Sequence, residues 1–311
     1  MGITLLLTGK NDPTSDYIEE AFTGYNKKIS RICVDNNCIP KMNLNPIEKI
    51  GWIEDSNKVK IQLEKVHSII VRRPQLPDID KDAFTNRFFN REILYALRSL
   101  LESTNAIWMN HPDSNAYASS KPRNLRFAAE LGLQIPKTLI SSDPIEITHW
   151  LNHHHNCIIK SITHGLIKGE KKVKMAFTQR VPINFDIDRD LISGVPIFLQ
   201  EEIKKLYDIR VTVVGKQLFA ASLPSNGNID WRSYDKSQNW QKFELPEGIS
   251  NACLKLCKKL NLNFAAIDMV LDKEKIYFLE INPNGQWVWI ERETGLPISK
   301  AIVDRLSEGK K

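Results

Sequence analysis

Two apolar runs, "FAAIDMVL" (264–271) and "IYFLEIN" (276–282), each carry oxygen donors where a fully buried strand has no use for them. Asp268 interrupts the first run, and Glu280 and Asn282 stand two residues apart in the second. Residues two apart on a strand point to the same face. Oxygen donors gathered at a strand end make half of a hard-cation site, and the other half is expected on a neighbouring strand. Asp268 is the candidate for that half. The chain is therefore expected to set these two runs side by side in a sheet with their polar positions facing an opening. The plain alternative is that Asp268 caps a turn and Asn282 only begins one at Asn-Pro.

A chain of 311 residues is long enough for two or three packed subdomains, so such a sheet has room for covering layers. Hydrophobic content of 42% and charged content of 26% are ordinary for a globular protein. The net charge of +6 is mild and interspersed, which favours a partner with acidic groups, phosphates or a carboxylate-rich peptide, over duplex nucleic acid. Zinc-finger spacing, aromatic RNA-binding patterns and a basic stripe are all missing from the sequence. The five cysteines give no disulfide framework, so reduced thiols in a cytoplasm are expected. "MGITLLLTGK" is too short for a signal peptide or membrane span and reads as a buried first strand.

"ITLLLTG", "KISRICVD" and "SIIVRRP" look like short buried strands. Between the first two, "PTSDYIEEAFTGYN" has helical apolar spacing and a cap at Thr14 or Ser15. This β-α-β opening predicts a small parallel α/β domain. A long helix follows in "KDAFTNRFFNREILYALRSLLEST", with Phe84, Phe88, Leu94, Leu97 and Leu101 as its apolar stripe. Beyond residue 115 the pattern is a helix ended by Gly132, strands at "CIIK" and "IFLQEEI", a hairpin of "DIRVTVVG" and "KQLFAASL" turning at Gly215, and an amphipathic helix in "GISNACLKLCKKLNLN". The fold class is mixed α/β, with a parallel opening and antiparallel pieces after it.

Lys160 closes the apolar "CII", where a buried lysine needs a partner. Lys121 opens a helix and is either a phosphate ligand or a solvated lysine. His153, His154 and His155 have no fixed ligand geometry and read as a solvated helix end. "TGKND" has a Gly-Lys without the rest of a phosphate loop.

In order, the chain presents Lys121 with "AAELGLQIPKT", then "IIKS", "LQEEI", "DIRV", and finally Asp268, Glu280 and Asn282. This succession over residues 121–285 resembles the ATP-grasp superfamily. Within it, "HPDSNAYASSKPRNLRFAAELGLQIPKTLISSD", "RRP" and "NPNGQWVWIERETGLPISKAI" are most similar to the peptide-crosslinking maturases of the microviridin and graspetide type.

The resemblance implies an ATP-grasp fold with a pre-ATP-grasp domain at 1–115, a central unit with a leader-binding insertion at 116–197 and a C-terminal unit at 198–311. Nucleotide would lie between the last two units. Lys121 and Lys160 would hold phosphates, and Gln200, Glu201 and Ile203 would meet adenine. Glu201 or Asp208 would contact ribose. Arg210 and Arg232 would serve the transferred phosphate or the substrate carboxylate, and Asp268, Glu280 and Asn282 would carry magnesium. Arg72 and Arg73 are candidates for substrate contact, and Asp186, Asp188 and Asp190 for a basic leader; a solvated acidic face is the plain reading of the last three.

The implied partner is a ribosomal precursor peptide whose Asp or Glu side chains are joined to Ser/Thr hydroxyls or Lys amines. Relatives of this kind often act as homodimers, although the sequence shows no interface signature. A ligase adding a free amino acid and a nucleotide-dependent binding protein are the competing readings.

Overall fold

The chain opens with β1 (Ile3–Thr8), α1 (Pro13–Gly24) and β2 (Ile29–Cys33). An antiparallel set follows, β3 (Met42–Asn45), β4 (Ile50–Glu54) and β5 (Lys60–Gln62), and then β6 (Val66–Val71), α2 (Ala83–Glu102) and β7 (Ile107–Met109). β1, β2, β6 and β7 form a parallel sheet in the order β2-β1-β6-β7. Leu5 and Leu7 join a core with Leu97 and Leu101 of α2, while Leu6 joins another with Ile18 and Phe22 of α1. Both faces of β1 are covered, which is why its sequence is apolar without alternation. The computed structural model describes residues 2–36, 38–48, 50–75, 77–163, 165–168, 173–175, 178–182, 194–230 and 239–308.

Two details differ from the sequence-based expectation. The cap of α1 is Asp12, whose Oδ1 accepts from Thr14 N at 3.2 Å, with Pro13 at the first helical position. Thr14 and Ser15 lie inside the first turn, and Ser15 Oγ donates to Asp12 Oδ2 at 2.8 Å. In α2, Leu97 and Leu101 are buried, but Phe84 is 74% exposed, Phe88 55% and Leu94 37%. Periodicity marks one apolar face of a helix without saying what covers it, and only the later turns of α2 pack on the sheet.

From residue 112 the elements are α3 (Pro112–Ala118), α4 (Lys121–Glu130), β8 (Thr138–Ser141), α5 (Pro144–His153) and β9 (Cys157–Lys160). A small antiparallel pair, β10 (Leu166–Lys168) and β11 (Val173–Met175), precedes β12 (Gln179–Arg180) and β13 (Ile197–Glu201). β12, β9, β13 and β8 pair antiparallel in that order. The remaining sheet takes β14 (Tyr207–Val214), β15 (Gln217–Pro224), β16 (Gln241–Lys242), then, after α6 (Glu247–Lys259), β17 (Phe264–Leu271) and β18 (Ile276–Asn282). Its order is β16-β15-β14-β17-β18, and α7 (Val288–Thr294) and α8 (Ile298–Ser307) follow. The β14–β15 hairpin turns at Gly215, whose φ of 59° suits glycine. Among the described residues no helix is long and apolar enough to cross a membrane.

Val211 and Ile267 of the sheet pack under Leu125 of α4 and Leu256 of α6. On the other side Trp287 and Ile302 join Leu6 and Phe22, so the first strand and the last helices share a core. Asn110 bolts these parts together. Its Nδ2 donates to Phe264 O at 2.9 Å and Pro283 O at 2.8 Å, and its Oδ1 accepts from the amides of Asn263 and Phe264.

Candidate active site

A cleft of about 810 Å³ lies between the β9–β13 pair on one side and β17–β18 on the other. Antiparallel register sets Arg210 on β14 opposite Asp268 on β17, and Asp268 opposite Glu280 on β18. Cross-strand neighbours share a face, so a cation and two carboxylates form one row across the sheet. Asn282 is one alternation beyond Glu280, opposite Ala266, and its Oδ1 accepts from Asn284 N at 3.0 Å to shape the turn after β18. Asp268, Glu280 and Asn282 all line the cleft.

Each carboxylate of the row sits beside a cation. Arg210 Nη1 donates to Asp268 Oδ1 at 2.6 Å, and its Nη2 donates to Gln286 O at 2.8 Å. Arg210 is only 5% exposed and lies behind Asp268, outside the set of residues lining the cleft. Gly285 makes this possible, since a Cβ there would collide with Ala266 Cβ and stand 2.8 Å from Arg210 Nη2. Lys121, at the start of α4, places its Nζ 3.6 Å from Glu280 Oε2 and donates to Ser161 O at 2.9 Å.

The opposite wall is built differently. Lys160 Nζ donates to Gln200 Oε1 at 2.7 Å, and Gln200 Nε2 donates in turn to Thr138 Oγ1 at 2.9 Å. Desolvation pushes the Lys160 ammonium down to about 8; Glu280 opposes that shift and Lys121 reinforces it. Further along the cleft, Lys205 Nζ donates to Asp208 Oδ1 at 2.7 Å and to Ile229 O at 2.8 Å.

Lys121, Lys160, Gln200, Glu201, Ile203 and Asp208 therefore border the same cleft as the three oxygen donors. The Glu201 amide, one of the backbone groups expected to read adenine, donates to Lys137 O at 2.9 Å and is engaged in the fold. Arg72 and Arg73 are not among the lining residues. Arg72 is 5% exposed and pushed down to about 10 by burial; its Nη1 donates to Asn284 Oδ1 at 2.8 Å, and Asn284 Nδ2 donates back to Arg72 O. Arg73 is exposed. Arg232, Asp186, Asp188 and Asp190 lie outside the described residues.

Sequence reasoning missed Lys205 and Asp230, which also line the cleft, and the Arg72–Asn284 exchange. Lys205 had a readable signal, its three-residue spacing from Asp208. Arg72 and Asn284 are 212 residues apart and had none.

Hard oxygen donors from two adjacent strands suit a divalent cation that also takes phosphate oxygens, so the residues present fit magnesium. A lysine on the facing wall suits an anion held against that metal.

Residues 118–306 match the RimK-like ATP-grasp domain. The tetrahydromethanopterin:alpha-L-glutamate ligase of Methanocaldococcus jannaschii is 22% identical over 64% of this chain and 69% of its own length. A probable alpha-L-glutamate ligase of Haemophilus influenzae is 21% identical over 86% and 85%. Among solved structures, the macrocyclase MdnC of Microcystis aeruginosa MRC, bound with precursor peptide MdnA, superposes with a TM-score of 0.84 at 27% identity, covering 98% of this chain and 99% of that one. A Chryseobacterium gregarium RiPP-associated ATP-grasp ligase, in complex with ADP and a leader and core peptide, gives 0.88 at 26% identity over 98% and 96%.

Proposed function

The chain belongs to the RimK-like ATP-grasp family, and from that premise we propose that it is an ADP-forming carboxylate ligase closing macrocycles in a ribosomal precursor peptide. The observation that carries this reading is the pairing of Lys160 with the Asp268–Glu280–Asn282 set across one cleft. The peptide-bound relatives, similar over nearly the full length, support the choice of substrate. In this reading residues 1–115 precede the ATP-grasp units, 116–197 carry the leader-binding insertion, 198–311 complete the site, and nucleotide lies between the last two. ATP dependence and the free cysteines suit a cytoplasmic enzyme.

Lys160 and Lys121 hold nucleotide phosphates, the segment Gln200–Ile203 borders adenine, and Glu201 or Asp208 contacts ribose. Asp268, Glu280 and Asn282 hold magnesium, which when bound neutralises phosphate charge as it develops. Arg210 fixes Asp268 from behind, and Arg232 neutralises the transferred phosphate or holds the substrate carboxylate. Arg72 braces the turn after β18, while Arg73 and the acidic residues Asp186, Asp188 and Asp190 meet the peptide.

An Asp or Glu carboxylate oxygen attacks the γ-phosphorus, ADP leaves, and an acyl phosphate remains. A Ser/Thr hydroxyl or Lys amine of the same peptide then attacks the acyl carbon. Phosphate departs and the nucleophile's proton passes to solvent. Holding both ends of the peptide in one cleft removes much of the entropic barrier to ring closure.

The test is incubation with ATP, magnesium and a Thr/Ser- and Asp/Glu-rich peptide encoded beside the gene. The peptide should lose whole multiples of one water, with one ADP per bond, and mild alkali should restore the mass of ester links. The curated relatives favour a second reading, addition of glutamate. A gain of one amino-acid residue would establish that reading instead. Nucleotide bound without turnover would leave only a binding protein.

A further inference from the structure

Four histidines crowd the end of α5, at positions 149, 153, 154 and 155. Three are consecutive, and consecutive residues on a helix point about 100° apart, so the run itself does not converge on one ion. The pair with ligand spacing is His149 and His153, four residues apart and so neighbours on one helix face. Both are exposed, and their ring centres lie 4.3 Å apart at an interplanar angle of 40°. His153 Nδ1 is 2.7 Å from His149 O, and a carbonyl only accepts, so the ring donates there. The lone pair of the neutral ring is thereby fixed on Nε2. His154 turns elsewhere, its ring stacked on Trp150 and its Nδ1 3.0 Å from Trp150 O.

We propose that His149 and His153 form a surface site for one divalent transition-metal ion of the zinc type. Two histidines at this spacing on one helix face are the arrangement that helical zinc sites use. A metal-ligating imidazole characteristically gives its other ring N–H to a carbonyl, carboxylate or water, as His153 does to His149 O. A tetrahedral ion about 2.0–2.1 Å from each nitrogen holds the two nitrogens roughly 3.3 Å apart. Rings with centres 4.3 Å apart can present their Nε2 atoms at that spacing, and water completes the coordination. The ion also sits near the C-terminal end of α5, where the helix dipole favours positive charge.

Another cluster shows by contrast why this pair stands out. Glu102, His111 and Asp113 bring donor atoms within 4.8 Å of one another. Arg98 donates to both of those carboxylates at 2.6 Å, and His111 Nδ1 accepts from the Asp113 amide to start α3. That cluster already holds its cation. Imidazole suits zinc, copper and nickel, whereas magnesium prefers oxygen ligands in an octahedron, so the α5 pair selects against the ion proposed for the cleft. Ile147 packs α5 on Leu199 of β13, and the next residue, Gln200, lines the cleft. Neighbours on a strand point to opposite faces, so the pair lies across this sheet from the cleft. The inference is independent of the reaction catalysed.

Titration calorimetry of the full chain with zinc, in excess magnesium, tests it. The expected result is a zinc site that magnesium does not displace. His149→Gln and His153→Gln should each weaken that site by on the order of a hundredfold, because one arm of a two-armed chelate is lost. Both positions are exposed, so circular dichroism and ADP binding in magnesium should match wild type. His155→Gln should leave zinc binding as it was. Zinc should also raise the melting temperature of wild type and of His155→Gln more than that of the other two variants. Absence of zinc binding in the micromolar range would overturn the proposal. So would binding that His149→Gln and His153→Gln both retain, or that excess magnesium displaces. A loss at His155→Gln as large as at His153→Gln would also overturn it, assigning the ion to the consecutive run instead.

Discussion

The two walls of the cleft hold their charges in opposite ways. On the β17–β18 wall each carboxylate stands against a cation from another element, Asp268 against Arg210 and Glu280 near Lys121. On the β9–β13 wall Lys160 rests on the neutral amide of Gln200, and desolvation disfavours its charge. The first wall is charge-compensated by the protein itself and keeps its shape by that means. The second has no direct ion pair at Lys160, only the more distant pull of carboxylates such as Glu280, and an arriving anion would add to it. In the proposed reading, the fixed wall is the one that would meet metal and the responsive wall the one that would meet phosphate.

The comparison breaks most visibly at Glu280. Glu280→Gln keeps the side-chain shape and removes the charge, so ADP release should fall by about a thousandfold while the fold is kept. Turnover that is unchanged at limiting magnesium would remove Glu280 from the metal side.

Stability separates the walls next. Arg210→Met leaves the nearly buried Asp268 without its cation and should cost about 3 kcal/mol in urea unfolding. Lys160→Met removes a charge that burial already disfavours and should remain within about 1 kcal/mol of wild type. Equal losses at the two positions would erase the contrast.

The smallest effect is in the pH profile. The Lys160 ammonium titrates near 8, below the ordinary 10.5, so the folded protein loses that proton first. Between those values the unfolded chain binds more protons, and the residue's contribution to stability rises with pH. Phosphate prefers the protonated amine, so nucleotide affinity should run the other way. It should be flat below about pH 7 and about tenfold weaker at pH 9 than at pH 7. Calorimetry on wild type and Lys160→Arg checks this, with the arginine variant expected to stay flat over the same range.

Lys160 and Glu280 were legible because each sits at the polar end of an apolar run, Lys160 after "CII" and Glu280 after "YFL". Short range was enough there. Arg210 was legible as an important arginine but not as one hidden behind Asp268, since cross-strand register depends on how β14 and β17 align. The Asp12 cap was missed because Thr14 and Ser15 offered equally good chemistry two and three residues later. The α2 stripe was legible, but not which part of it is covered. Phe84 and Phe88 have helical spacing, yet the sheet beneath reaches only Leu97 and its neighbours.

Asn284 and Arg72 exchange hydrogen bonds in both directions, and Asn110 grips the carbonyl of Pro283. The turn that follows Asn282 is thus fastened by two residues that precede the matched stretch 118–306. The domain that the family model matches is therefore shorter than what must be inherited together. A recombination event that exchanged the opening segment for another enzyme's would have to bring an arginine and an asparagine suited to this turn, or it would deliver a chain whose loop after β18 had lost its moorings.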